Sequence, residues 1–212
     1  MRIVVTRPAQ QAEPLASRLA SLGHEVVVCP LIEIEPVGDD PIDTSDYDWV
    51  IVTSPNGARE FARRQTGELR SVAAIGPGTA AALEAEGIRP DLTAATSTQE
   101  GLLSAFPMRP RRALVAAAEG ARRTLADELG AEFLPLYRTR ELRPPEPPRG
   151  DLVVLASSSQ ARAFAALGVD IPVVSIGPQT SEAARIAGLR VVAEAETHDV
   201  DGLVGAVARA AG

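Results

Sequence analysis

The chain has 212 residues, 45% hydrophobic and 23% charged, a composition ordinary for a globular protein. Its formal net charge of −7 and 3% aromatic content argue against a basic nucleic-acid-binding face and against a base-stacking platform. All 21 basic residues are arginine, which excludes a lysine Schiff base and a P-loop lysine, and the lone Cys29 excludes an intramolecular disulfide. No apolar run approaches a membrane span, and the first residues read as a strand in place of a signal peptide. With one cysteine, read as a small core hydrophobe, the expected location is cytoplasmic.

In chain order, Ile3–Thr6 is a β-branched run, and Pro8 stands where a first-turn helix proline belongs. Leu15, Leu19 and Leu22 continue as one helical stripe, Gly23 stops it, and Glu25–Cys29 is the next strand. Leu31–Val37 (LIEIEPV) alternates apolar and acidic residues. Trp49–Thr53 reads as a buried strand, with Ser54 as cap and Pro55 as the first helical residue. Ala58, Phe61 and Ala62 form the inner face of that helix. Ser71–Ile75, a turn at Gly76 and Pro77, and a helix to Glu86 follow. Ser97 to Glu100 reads as a capping box before Leu102, Leu103 and Phe106. The strand Ala113–Ala117, a helix carrying Leu125 and Leu129, and the strand Phe133–Leu136 come next. Leu136–Leu142 (LYRTREL) then alternates apolar with basic or polar residues, and Arg143–Gly150 (RPPEPPRG) is a proline-rich linker.

Much of this grammar occurs twice. Val50–Phe61 (VIVTSPNGAREF) returns as Val153–Phe164 (VVLASSSQARAF), and Ile75–Leu83 (IGPGTAAAL) returns as Ile176–Ala184 (IGPQTSEAA). A shorter unit repeats too: Arg2–Thr6 resembles Arg112–Ala116, each followed by two spaced leucines. A duplicated unit of this size is half a protein, not a solenoid repeat. Apolar strands alternating with helices mean βα units and parallel sheets covered on both faces. The expected fold class is α/β, with two flavodoxin-like, doubly wound parallel-sheet lobes facing a cleft. The two alternating segments, 31–37 and 136–142, carry opposite charges that suit cross-strand pairing, so they are expected to form a two-stranded antiparallel ladder joining the lobes.

These residues reach a family. Val5–Pro8 (VTRP), Thr53–Gly57 (TSPNG), Ile75–Ala80 (IGPGTA), Leu136–Thr139 (LYRT), Ala156–Ser159 (ASSS) and Ile176–Thr180 (IGPQT) follow one another in an order and spacing that resembles uroporphyrinogen-III synthase over nearly the whole chain. Each motif alone is common turn chemistry. The resemblance implies a crossed arrangement, with residues 1–32 plus 142–212 in one lobe and 36–135 in the other. It also implies cyclisation of hydroxymethylbilane, a linear tetrapyrrole with carboxylate side chains, with loss of water and inversion of ring D. No cofactor or metal is implied. A monomer, hand-over of substrate from hydroxymethylbilane synthase, and no nucleic-acid or membrane partner are expected. One departure stands out: alanines Ala116–Ala118 occupy a place where the family commonly has an arginine and glycines.

In a doubly wound fold the strand C-termini and helix N-termini share one edge, where ligands bind. Free N–H groups and the positive helix end suit carboxylates whatever the net charge. The candidate cradles are the turns bearing Thr53, Ser54, Gly76, Thr79, Ser157, Ser158, Gly177 and Thr180. For each hydroxyl the plainer role is an N-cap serving only its helix. Arg7 is a further binding candidate, or a solvated arginine. Tyr137 matches the tyrosine of the family's YxT motif, and a phenol can donate a proton to a leaving hydroxyl. The plainer role is packing at a junction. Tyr47 reads as a surface or strand-edge residue, and His24 and His198 read as surface residues. A rival of another class is a non-catalytic bilobal small-anion-binding or sensor module. A flavodoxin-type electron carrier finds no flavin-stacking aromatics here.

Overall fold

The computed structural model describes residues 1–211, so Gly212, the end of the first expected lobe, lies outside the described residues. The elements run β1 (Arg2–Val5), α1 (Ala9–Ser21), β2 (Glu25–Val28), β3 (Ile32–Pro36), β4 (Ile42–Asp43), β5 (Trp49–Val52), α2 (Pro55–Arg64), β6 (Gln65–Thr66), β7 (Val72–Ala74) and α3 (Pro77–Ala85). They continue with β8 (Leu92–Thr93), α4 (Gln99–Ala105), β9 (Ala113–Ala118), α5 (Thr124–Leu129) and β10 (Glu132–Glu141). The last are β11 (Leu152–Leu155), α6 (Ser158–Ala165), β12 (Val173–Ser175), α7 (Pro178–Ile186), β13 (Val191–Glu194) and α8 (Val200–Ala211). The chain divides into two compact units: Met1–Glu33 with the chain from Thr139 onward, and Ile34–Arg138.

In the first unit the sheet order is β13-β12-β11-β1-β2, all neighbours parallel. Numbered within the unit, this is the 2-1-3-4-5 order of flavodoxin-like folds, with the switch point between β1 and β11. Ile3 and Val5 pack with α1 and α8 on one face, through Leu15, Leu19 and Leu203. Val4, between them, packs with Ala161 and Phe164 of α6 on the other. The unbroken apolar run of β1 thus reflects burial on both faces.

The second unit places β10-β9-β5-β7-β8 in the same spatial order, but the chain enters it elsewhere. Here the long segment comes first and the short one second, so the sheet is a circular permutation of the first. The switch point lies between β5 and β9, which pair in parallel from Trp49↔Ala113 to Val52↔Ala116. Val50 and Val52 face Phe61 and Leu83, while Ile51 faces Leu102 and Leu125.

The chain passes between the units in β3 and β10, which are sheet neighbours. Val37 N–H donates to Leu136 O, and Leu142 N–H to Leu31 O, so this pair is antiparallel. In that register Glu35 opposes Arg138, with Nε to Oε2 at 2.8 Å, and Glu33 opposes and pairs with Arg140. The charge complementarity expected between the two segments is present. Both arginines are more than half exposed, so each pair contributes on the order of 0–1 kcal/mol and serves register more than stability.

Four local expectations are corrected. Phe133–Leu136 and the ladder segment are one strand, β10, whose register against β9 shifts between Pro135 and Tyr137. Pro135 has no N–H to give the ladder, so the irregularity falls there. Helix α4 is capped by Thr98, whose Oγ1 accepts Gly101 N–H at 3.0 Å, one residue later than the capping box predicts. Glu100 there pairs with Arg122 and does not close a box. Pro8 is the N-cap residue of α1, not a residue of its first turn. Tyr47 is buried among Ile42, Val50 and Val72, and its hydroxyl donates to Glu132 Oε2 at 2.6 Å. The polar run around it hides an inward ring.

Candidate active site

The two switch points carry most of the expected site residues. In the second unit, β5 ends at Val52, and Thr53 and Ser54 turn the chain into α2. Ser54 adopts extended backbone angles and its Oγ accepts Gly57 N–H at 3.0 Å, a side-chain N-cap of the kind worth about 1 kcal/mol. The same Oγ lies 2.8 Å from the Tyr137 hydroxyl. Tyr137 is delivered by β10, where Glu119 N–H donates to its carbonyl and Ala118 is its strand partner. The ring is 7% exposed and packs with Val52, Ala116 and Leu136. Burial pushes the phenol above its ordinary value, and the Ser54 hydrogen bond opposes that rise only in part. The phenol is therefore protonated at neutral pH and is equipped as a donor.

A serine hydroxyl has one proton and two lone pairs. Ser54 spends a lone pair on Gly57 N–H, and its own proton is free to point at the tyrosine oxygen. In that arrangement the Tyr137 proton is directed elsewhere.

At the first unit's switch point the equivalent turn is Ala156–Ser158. Ser157 caps α6 by accepting Gln160 N–H at 3.2 Å. Unlike its counterpart, this turn is closed on itself. Gln160, 2% exposed, accepts Ala156 N–H at 2.7 Å, and the single Thr6 hydroxyl proton is shared between Gln160 Oε1 at 2.9 Å and Val154 O at 2.8 Å. Ser158 Oγ donates to Gln179 O at 3.1 Å, which ties this turn to the first turn of α7. Arg7 is half-buried beside Thr6 and has an interaction partner.

The remaining candidates form two matched cradles. Gly76 precedes α3 and Gly177 precedes α7, each followed by proline at the helix start. Thr79 N–H donates to Gly76 O and Thr180 N–H to Gly177 O, so both threonines are held in the first turn, 3% and 5% exposed. Both glycines leave room for a neighbour: a Cβ on Gly76 would collide with Ser97 Oγ, and one on Gly177 would stand 2.6 Å from His198 Nε2. His198 is exposed, as the sequence reading has it, but its ring covers a cradle glycine. His24 is half-buried, and its Nδ1 is buried without a hydrogen-bond partner.

Sequence reasoning named Ser54 and Tyr137 separately and missed that they touch. It also missed Thr6 and Gln160. A signal was present: Pro30-Leu31-Ile32 repeats as Pro135-Leu136-Tyr137, so the polar ring occurs in one copy only.

A model of the family described as uroporphyrinogen-III synthase HemD matches residues 13–205. The chain belongs to the uroporphyrinogen-III synthase family. It is 29% identical to a uroporphyrinogen-III synthase of Synechococcus elongatus, over 97% of this chain and 93% of that one. It is 28% identical to a putative uroporphyrinogen-III synthase of Archaeoglobus fulgidus, over 96% of each chain. Among solved structures, a mutant uroporphyrinogen III synthase of Thermus thermophilus aligns with a TM-score of 0.66 at 16% identity, over 100% of this chain and 98% of that one. That likeness shows the two-unit α/β fold. The family expected from the motifs is the family found, an enzyme family of porphyrin biosynthesis, and a non-catalytic binding module is not favoured.

Proposed function

We propose that the chain cyclises hydroxymethylbilane to uroporphyrinogen III, with Tyr137 as the proton donor that lets the ring A hydroxyl leave. The observation that supports Tyr137 is its hydrogen bond to Ser54 at the second unit's switch point. Water departs with the phenolic proton and leaves an azafulvenium on the substrate. Ring D attacks through its substituted carbon, the spiro intermediate fragments, and reclosure inverts ring D. Deprotonation of the cyclised pyrrole restores the proton balance, so the net change is loss of one water. Electrons come from the pyrroles themselves, and the protein's further task is to hold the bilane folded.

Substrate carboxylates are matched to the helix N-termini. The turns of Thr53, Ser54, Gly76 and Thr79 in one unit, and of Ser157, Ser158, Gly177 and Thr180 in the other, offer N–H donors at positive dipole ends. Arg7 adds a cation beside the first unit's switch point. Such donors reconcile a net charge of −7 with a polyanionic substrate.

The test is product identity. Supplied with hydroxymethylbilane by a bilane-forming enzyme, the protein is expected to shift the product from the spontaneous isomer I to isomer III. An unchanged isomer ratio would sink the proposal and leave a binding module.

A further inference from the structure

We infer that Gly57 is a positioning residue for the reaction: it holds no substrate, but its missing side chain keeps Ser54 Oγ where Tyr137 needs it. This rests on the reading of Tyr137 as proton donor. A Cβ on Gly57 would stand 3.0 Å from Ser54 Oγ, whereas its next neighbours, Val52 Cγ1 at 3.6 Å and Ala116 O at 3.7 Å, are ordinary contacts. Gly57 is not in left-handed backbone, so conformational freedom is not the reason for glycine here. The single tight contact is with the oxygen that bonds the catalytic phenol.

The duplicated turn supplies the control. Gln160 stands where Gly57 stands, and Ile32 stands where Tyr137 stands. With a side chain at 160 the cap still forms, but the N–H to Oγ distance is 3.2 Å against 3.0 Å at Ser54. Gln160 also takes the Ala156 N–H at 2.7 Å, while the corresponding Thr53 N–H reaches only Ala116 O at 3.4 Å. A side chain at this position is thus compatible with the fold. It occurs in the copy whose serine has no tyrosine to serve. Glycine occurs in the copy whose serine must meet a cap donor and a phenol at once.

Gly57→Ala therefore folds, since alanine favours the helix, but its methyl displaces Ser54 Oγ from Tyr137. The expected result is a fall in kcat on the order of tenfold, about what one hydrogen bond to a developing charge is worth, with KM unchanged. The Tyr137 phenol, read as the difference titration between each protein and its Tyr137→Phe counterpart, shifts to higher pH because the Ser54 bond that lowers it is weakened. In a Ser54→Ala background, Gly57→Ala should cost nothing further, since the displaced atom is gone. An unchanged kcat and titration in Gly57→Ala overturns the inference, as does an equal loss in the Ser54→Ala background. Slow Tyr137→Phe with unaltered Gly57→Ala removes only the role of Gly57. Tyr137→Phe turning over at the wild-type rate removes the proton-donor reading, and this inference with it.

Discussion

The Tyr137 hydroxyl and Ser54 Oγ lie 2.8 Å apart although 83 residues separate them in sequence. One arrives on the last strand of its sheet, the other on the turn after that sheet's first core strand. Their meeting turns a helix cap into half of a hydroxyl pair, with one member 7% exposed and unable to lose its proton readily in isolation.

Removing only the phenolic oxygen isolates its contribution. Tyr137→Phe keeps the packing against Val52 and Leu136 and should lower the rate of bilane turnover by about 10²–10⁴, the usual span for a general acid. The enzymatic product should remain isomer III, because ring inversion depends on how the chain is held. Product analysis with single-turnover kinetics checks both, and a wild-type rate would reduce Tyr137 to packing.

Alkaline pH should act on the same group. The phenols of Tyr137 and Tyr47 are both raised from about 10, in each case chiefly by burial. A raised acid binds its proton more tightly folded than unfolded. Stability from these groups is therefore fully present below about pH 10 and is lost as pH rises through the higher folded values. Turnover should hold through neutral pH and fail only above that point. Urea titrations across the alkaline range, with Tyr137→Phe and Tyr47→Phe as controls, should show the loss blunted in each variant. An unaltered pH slope in both would contradict the assignment.

Much of the architecture was legible because duplication makes each half a commentary on the other. Val50–Phe61 and Val153–Phe164 disclose the same strand-turn-helix, and the acidic and basic alternation of 31–37 and 136–142 disclosed the ladder. What escaped depended on distance or on a single missing donor. Tyr47 looked exposed because Asp46 and Asp48 flank it, yet only its own ring turns inward. Pro135 kept the parallel strand and the ladder from being read as one element. The Ser54 and Tyr137 contact is tertiary, and no local period announces it.

The network around Gln160 should matter to the fold. Thr6→Val removes a hydroxyl that is 0% exposed and bonded to both Gln160 and Val154. Leaving those buried acceptors short costs about 1–3 kcal/mol. Urea unfolding should register the loss, whereas Ser17→Ala, an exposed serine, should change little.

Two glycines should answer differently to the same methyl. On Gly202 a Cβ would collide with the backbone carbonyl of Thr197, which cannot swing away. On Gly177 it meets the end of the His198 side chain, which can. Gly202→Ala should therefore destabilise by about 1–3 kcal/mol, as overpacking does, and Gly177→Ala by distinctly less. Equal thermal shifts in the two variants would refute the distinction.

The insertion of one unit within the sequence of the other also sets a timetable. The second unit is contiguous and finished at Arg138, but β1 must wait for β11, its parallel neighbour at Leu152–Leu155. A ribosome adding about 5–20 residues per second leaves β1, α1 and β2 half-assembled for roughly ten seconds. The inserted unit is complete before the unit that surrounds it, so the order of birth inverts the order of writing. Nascent chains halted just beyond Arg138 and the tunnel should already protect Ile34–Arg138 from protease while Ile3–Val5 stays open to cleavage.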